Sequence, residues 1–578
     1  MPDVLVEGFH KGLDQRRLEV ASEAGSLSKA FDIEITNGGE IRNRKSFVST
    51  YTMTGAAAGT TFGLGEQDGN VYVFGGIATP AGVPAGVTYQ RLQHPGAATM
   101  TEILDIEQFN GKLYVIAKYS DASVYHFYDG SRITDWFDGK ARGSFSITGG
   151  TNSAGVNEIT STKVNGVEIQ DTDVDWATSH ATTATNLAAQ IVSYASTPEY
   201  SAVANGAEVV VIAGTAGTAS NGLSLTVAVA GDVTASTPVA LSGGLDGSSG
   251  DPGASCVPLK DKMYVTAGKN VHFSALRDAT HFNSTYTGAG FMTPATHSSG
   301  AATITGLAVF VDNLAIIAAN AIQVWFVDAD DENNELQQVL VGSGTTAVRS
   351  VLPLPNGDLY FMAHDGIKAL RVRESLQTGA VVNVGAAIDV AVVEQIAAVS
   401  TTVRDQACAV REPREGRFML SVGNRVFVHS YFPEKNVNAW SIFRPGFTIT
   451  DWVTVGNKLY ARSGDVIYLY GGSAFTTYYS GECVARIPYL DAAKPGGYKD
   501  LKSIDAALQG TWTIKQSTSL ANPTTLETLS VQTGSTYDAP LTPVAGRTTH
   551  VAIELIHQAD EEGRVSSSVL HYDRDEDS

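Results

Sequence analysis

Cysteine is scarce in this chain of 578 residues: Cys256, Cys408 and Cys483 stand far apart, with no CxxC spacing. An odd, scattered set excludes a disulfide framework and the usual zinc ligand pairs, and a reducing compartment is the expectation. Long apolar runs are missing too. No stretch of about 18 apolar residues occurs, and the opening MPDVLVEGFHKGLDQRRLEV has no basic segment followed by an apolar one. The sequence thus predicts no stable membrane insertion and no export signal, and points to synthesis in the cytoplasm.

Basic residues are in short supply, 39 Lys and Arg against 60 Asp and Glu, for a net charge of −21. A surface of that sign repels nucleic acid and anionic lipid and releases no phosphate counterions, which argues against a sequence-specific DNA reader. It remains compatible with DNA that slides past without sticking. The signatures GxxxxGK[ST], GxSxG, HExxH and CxxC are absent, as is a GxGxxG between a strand and a helix. No catalytic, cofactor-binding or metal residue is predicted, no cofactor is implied, and the chain does not read as an enzyme.

What the sequence does have is glycine (58 residues) and abundant Val, Thr, Ser and Tyr, the composition of short strands joined by tight turns. A turn followed by an aliphatic-aromatic strand recurs seven times. The copies are Gln67-Asp68-Gly69-Asn70-Val71-Tyr72, Phe109-Asn110-Gly111-Lys112-Leu113-Tyr114, Lys260-Asp261-Lys262-Met263-Tyr264, Val311-Asp312-Asn313-Leu314-Ala315, Pro355-Asn356-Gly357-Asp358-Leu359-Tyr360, Arg414-Glu415-Gly416-Arg417-Phe418-Met419 and Val455-Gly456-Asn457-Lys458-Leu459-Tyr460. Asn-Gly and Asp-Gly supply the positive φ that a tight hairpin requires. A second strand usually follows, at Val124–Tyr128, Val271–Phe273, Ile322–Phe326, Val426–Val428 and Val466–Tyr470. The copies lie about 40 to 60 residues apart, the length of a four-stranded propeller blade, except for one interval of about 150. Removing Gly143 to Ser249 restores the period. The fold class expected is mainly β: a β-propeller of six or seven blades, with an inserted small α+β domain and a further β-domain formed by the N- and C-terminal regions. A β-sandwich with generic hairpins is the competing architecture.

The expected boundaries are residues 1–60 for an N-terminal docking and β segment, 61–142 and 250–474 for the propeller, 143–249 for the insertion and 475–578 for the C-terminal β-domain. Within the insertion, Val164–Ile169 reads as a hairpin and Ala181–Tyr194 as a helix, with strands at Glu208–Ala213 and Leu223–Val229. Before the first repeat, a helix is expected around Leu13–Ala24 and a strand at Phe31–Ile35. Trp512, Leu529 and Val551–Leu555 mark strands after the last one.

Some clusters invite a functional reading. The acidic run Asp328 to Glu335 alternates oxygen ligands as a calcium loop does, but lacks the glycine and final glutamate of an EF-hand, and a solvated loop is the simpler expectation. Arg42-Asn43-Arg44-Lys45 is either a docking contact or a surface strand paired with local acids. His272 and His281 lack ligand spacing. Tyr125, Phe127 and Tyr128, with Trp136 and Trp440, read as core aromatics and not as a base-stacking platform.

Three stretches resemble the tail nozzle, or tubular tail hub, proteins of short-tailed bacteriophages. One is the entry from Phe31–Ile35 through Asn37-Gly38-Gly39 into Ile41–Phe47; another is the run of repeats between residues 72 and 470. The third is Gly546-Arg547, the strand at 551–556, then Gly563–Ser567 and a last strand ending at Tyr572. The resemblance implies a virion tail component: a homo-oligomer in a six-membered ring below portal and adaptor proteins, extending the DNA-exit channel and carrying tail fibres or a needle. Genomic DNA would pass without specific binding. A propeller carbohydrate-binding or interaction scaffold is the alternative. A propeller sialidase would show Ser-x-Asp-x-Gly-x-x-Trp boxes, which this sequence does not have.

Overall fold

The computed structural model describes every residue except 1–2, 78–79, 95–97, 134–139, 153–154, 245–252, 283–285, 295–302, 373–378, 544–545 and 575–578. Among the described residues the chain is mainly β and propeller-like, with many small sheets. Each of the seven repeats forms the turn between the first and second strands of its own sheet. The first strands are Gly63–Gln67, Met100–Phe109, Cys256–Leu259, Ile304–Phe310, Leu352–Pro353, Cys408–Arg411 and Asp451–Val455. Each touches the first strand of the next sheet, and Asp451–Val455 touches Gly63–Gln67, which closes the circle.

The turn chemistry explains the repeat. Asp68-Gly69, Asn110-Gly111, Lys260-Asp261 and Val311-Asp312 all have positive φ at both central residues, as two-residue hairpins with the twist of their strands demand. Apolar residues alternate behind them and pack between neighbouring sheets. Val257, Tyr264 and Phe273 of the third sheet, for example, lie against Leu307, Leu314 and Trp325 of the fourth.

The last sheet takes its outer strand from the other end of the chain. Phe47–Thr52 pairs antiparallel with Val466–Tyr470, so part of the expected N-terminal segment belongs to the ring of sheets. The remaining terminal strands join the sixth sheet in one 16-stranded assembly. Val437–Phe443 leads through Lys29–Phe31 to Cys483–Leu490, then to Val551–His557 and the 19-residue strand Lys499–Ser517. The expected strand at Phe31–Ile35 is two strands, broken at Asp32, whose φ of 55° turns the chain.

The helix expected around Leu13–Ala24 does not form. Gly12–Leu13 and Ser26–Leu27 are short strands and Glu19–Ala21 is a single 3-10 turn. The backbone of this stretch bonds outward, Asp14 N to Leu27 O at 3.0 Å and Gln15 N to Ala387 O at 2.8 Å, and Leu18 stays 77% exposed. These long-range backbone bonds outcompete a helical propensity of a few tenths of a kcal/mol per residue.

The inserted unit begins with the strand Lys140–Gly149 and has a core of its own. Helix His180–Ser193, N-capped by Ser179, buries Leu187, Ala188 and Ile191 against strands that include Tyr200–Asn205 and Glu208–Ala216. The ends of the unit meet, with Arg142 and Ser242 exchanging two backbone hydrogen bonds of 2.7 Å.

Candidate functional site

The basic cluster is neither a docking contact nor a surface strand. Strand Ile41–Asn43 and the residues after it carry Arg42, Arg44 and Lys45 into the interior, where each is less than a tenth exposed. Arg44 donates to Asp32 at 2.7 Å, and Arg444 reaches the other oxygen of the same carboxylate at 2.7 Å. Arg42 lies 3.2 Å from Glu34 and 2.7 Å from Glu415, while Arg417 lies 2.6 Å from Glu34 and also pairs with Glu415. Burial opposes the charge on Arg42, but the carboxylates of Glu34 and Glu415 overcome it and hold the guanidinium above its ordinary value. Lys45 sits 3.4 Å from the ring centre of Tyr478; desolvation, then Arg42, push its ammonium down to about 8. This network ties the terminal strands to the sixth and last sheets. The arginines are tolerable at this depth because each faces a carboxylate, and the pairs fasten the strands that carry them to one another.

A second polar site lies where the first strands of the sheets converge. A cavity of about 330 Å³ there is lined by residues that include Asp105, Glu107, Arg349, Asp451, Trp452 and Cys408. Arg349 pairs with Asp451, whose other oxygen accepts from Leu64 N at 2.8 Å. Asp105 accepts from Cys256 N at 2.9 Å. Residues 105 and 107 share one face of their strand, so their carboxyls crowd together. Desolvation raises Asp105, and desolvation followed by the Asp105 charge raises Glu107 well above the usual carboxylate range. Burial also pushes the Cys408 thiol to about 11, which keeps it protonated and poorly nucleophilic. The cavity offers acceptors, an arginine and an indole, a lining suited to a small polar ligand. Composition and motifs do not single it out. The signal was the pair Asp105 and Glu107, two acids at i and i+2 on either side of Ile106.

The remaining clusters do not converge. Asp328–Glu335 folds on itself between two strands of the fourth sheet: Asp328 accepts from Asp330 N at 3.0 Å, and Asp330 accepts from Glu332 N at 3.2 Å to cap the turn Asp331–Asn333. Among the described residues, no group of three or more His, Cys, Asp or Glu side chains is placed to hold a metal ion. His272 is buried in a strand and stacked on Phe291, whereas His281 pairs with Asp278 on a loop. Phe127 is buried, Tyr125 is half-buried beside Tyr119, and Tyr128 donates to Phe109 O at 3.1 Å. Trp440 is buried against His429 with 4.3 Å between ring centres. Trp136 lies outside the described residues.

No protein-family model matches the chain, and no curated protein matches it. Among solved structures, it is similar to BamB from Moraxella catarrhalis at 12% identity and a TM-score of 0.26, over 65% of this chain and 98% of that one. It is similar to a catalytically inactive virginiamycin B lyase from Staphylococcus aureus at 7% identity and a TM-score of 0.28, over 64% and 95%. The extracellular domain of a one-component system from B. thetaiotaomicron aligns over 94% of this chain and 62% of its own, at 8% identity and a TM-score of 0.35. Likenesses at these scores carry no argument about what this chain does.

Proposed function

We propose that the chain is a structural subunit of a short-tailed phage tail: a nozzle that rings the distal DNA-exit channel and carries fibres or a needle. The seven sheets that carry the repeats are read as the blades of one closed seven-bladed propeller. The observation that carries the reading is the union of both chain ends with the sixth sheet in one continuous sheet, locked by the buried Asp32, Glu34, Arg42, Arg44 and Arg417 network. A part that must transmit force between neighbours needs its domains welded, not tethered. The net charge of −21 supports a conduit that does not retain a polyanion. In this account the protein is made in the host cytoplasm, joins five more copies beneath portal and adaptor proteins, and performs no catalysis.

Localisation tests the proposal. Antibodies against the inserted unit should label the tail tip of intact virions in electron micrographs. Labelling of the capsid shell, or of no particle at all, contradicts it.

The cavity where the sheets converge favours one second reading, a propeller scaffold that binds a saccharide or another small polar ligand. Its carboxyls and arginine suit hydroxyl groups, and Trp452 supplies an apolar face. Saturable binding of a glycan that Asp105→Asn weakens at least tenfold would support this reading.

A further inference from the structure

The cavity where the first strands converge carries more acid than its own base can balance. Glu66, Asp105, Glu107 and Asp451 line it, against Arg349 alone. Three of the four acids have partners. Asp451 takes Arg349 and the backbone N–H of Leu64, Glu66 accepts from Gly69 N at 2.9 Å, and Asp105 accepts from Cys256 N and Ile106 N, both at 2.9 Å. Glu107 has none: among the described residues its carboxyl meets neither a hydrogen-bond donor nor a cation, and the charge that acts on it most is that of Asp105. A carboxyl removed from water without a donor is costly, and two on one strand face repel, so a proton or another cation must stand with the pair. Much of the remaining wall is apolar, with Leu64, Leu113, Val351 and Trp452 among it. One end of the space is bridged, since Gln406 Nε2 donates to Glu102 at 3.0 Å from one side of the ring to the other. Entry is from the end where Gln108 and Thr454 run into their hairpin turns. By contrast, the pocket at the Asn37-Gly38 turn sets Arg42, Arg414 and Arg564 against Glu40 and Glu415.

We infer that this cavity binds a small aliphatic amine, its ammonium donating to Glu107 and Asp105 and its carbon chain lying along the apolar wall that includes Trp452. This rests on the ligand-binding reading of the cavity and narrows its ligand to a cation; it is independent of the tail assignment. An ammonium brings in one group what the acid pair lacks, a positive charge together with N–H donors. The indole of Trp452 adds attraction for a cation near its face. A metal ion fits less well, because among the described residues no third His, Cys, Asp or Glu ligand stands with the pair. A saccharide would leave the charge unmet. At about 330 Å³ the space suits a small organic molecule. The other ionisable groups facing the pair are Cys256, Arg349 and Asp451. Desolvation, then Asp105 and Glu107, hold the Cys256 thiol well above its ordinary value, and Arg349 and Asp451 are paired with each other. Desolvation raises Asp105 and Glu107 themselves, so an arriving ammonium displaces a proton from these two acids.

Titration calorimetry of the full chain at neutral pH and about 0.15 M salt, with 1,5-diaminopentane as the probe, tests this. Binding should be saturable and one-to-one, with a heat that varies with the ionisation enthalpy of the buffer because a proton is released. Glu107→Gln, which keeps the shape of the side chain, should weaken binding at least tenfold. Asp105→Asn, whose Oδ1 can still accept from Cys256 N, should do the same. Asp312→Asn removes an exposed carboxylate from a distant hairpin turn and should change nothing. The uncharged isostere 1,5-pentanediol should not compete. Equal weakening by Asp312→Asn and Glu107→Gln would show attraction to the acidic surface as a whole and overturn the inference. Binding of the diol or of a glycan as tightly as the diamine would overturn the cation assignment and leave the ligand-binding reading standing. No saturable binding of amine, diol or glycan would overturn both.

Discussion

Asp32 and Arg44 meet at 2.7 Å with each side chain only 1% exposed. Asp32 can do this because its backbone is left-handed, which ends one strand, starts the next and aims the carboxylate at Arg44 and Arg444 together. Removing one partner strands a charge in the interior. Asp32→Asn, which takes the carboxylate away from the buried Arg44 guanidinium, should therefore cost roughly 3–5 kcal/mol in denaturant unfolding. The exposed pair Lys112 and Asp129 is the control: Lys112→Met should leave the denaturation midpoint essentially unchanged.

Val311 occupies the first position of a two-residue hairpin with a φ of 45° and is 49% exposed. The other hairpins of this type put aspartate, asparagine or lysine there. A β-branched residue pays a steric penalty in that conformation, so Val311→Asn should stabilise the protein by about 1 kcal/mol, read as a rise in the denaturation midpoint.

Gly39 is constrained twice. Its φ is +80°, and a Cβ there would stand 2.2 Å from Cε1 of His10. Gly39→Ala should cost roughly 2–3 kcal/mol, of which the backbone part is about 1–2. Adding His10→Ala should recover the remainder, and a double-mutant cycle measures that recovery directly.

Acid should weaken the fold through its buried imidazoles. His429, and separately His272, are pushed down from 6.5 to about 4, both by desolvation first. The unfolded chain takes up protons below 6.5 while these folded rings do not, so stability is lost as pH falls from 6.5 towards 4, on the order of 2–3 kcal/mol for each ring. His429→Phe should flatten that part of the profile. Glu107 has the opposite sign. Its folded pKa lies above the unfolded value of 4.5, so ionisation destabilises the fold as pH rises past 4.5, and Glu107→Gln should raise stability at neutral pH. Unfolding curves between pH 4 and 8 separate the two.

Arg142 and Ser242 are paired where the inserted unit enters and leaves. Replacing residues 143–241 with a short Gly-Ser link should leave the midpoint of the remaining transition within about 1 kcal/mol of its value in the full chain. A collapse of that transition would show that the unit supports the ring of sheets.

The repeat was legible because turn chemistry is local: Asn110-Gly111 demands a hairpin whatever surrounds it, and even the degraded Val311-Asp312 kept its place. Between the second and third repeats the structure carries a unit with a core of its own, whose first strand is Lys140–Gly149. Long-range pairing was not legible. Nothing in Phe47–Thr52 announces that its partner is Val466–Tyr470, and nothing in Leu13–Ala24 shows that Ala387 and Leu27 would take its backbone groups. The same limit hid the charge network. Arg42, Arg44 and Lys45 form a basic patch along the chain, whereas in space Asp32, Glu34 and Glu415 neutralise the two arginines and Lys45 lies over the ring of Tyr478. The cavity acids were overlooked because Asp105 and Glu107 gain their meaning only when seven first strands converge.

Single-particle electron microscopy of the protein in its native assembly tests the central claim most directly. The account predicts six copies around an open axial channel, each copy contributing one propeller and one terminal β-domain. A lone propeller with its central cavity closed over a bound ligand would contradict it.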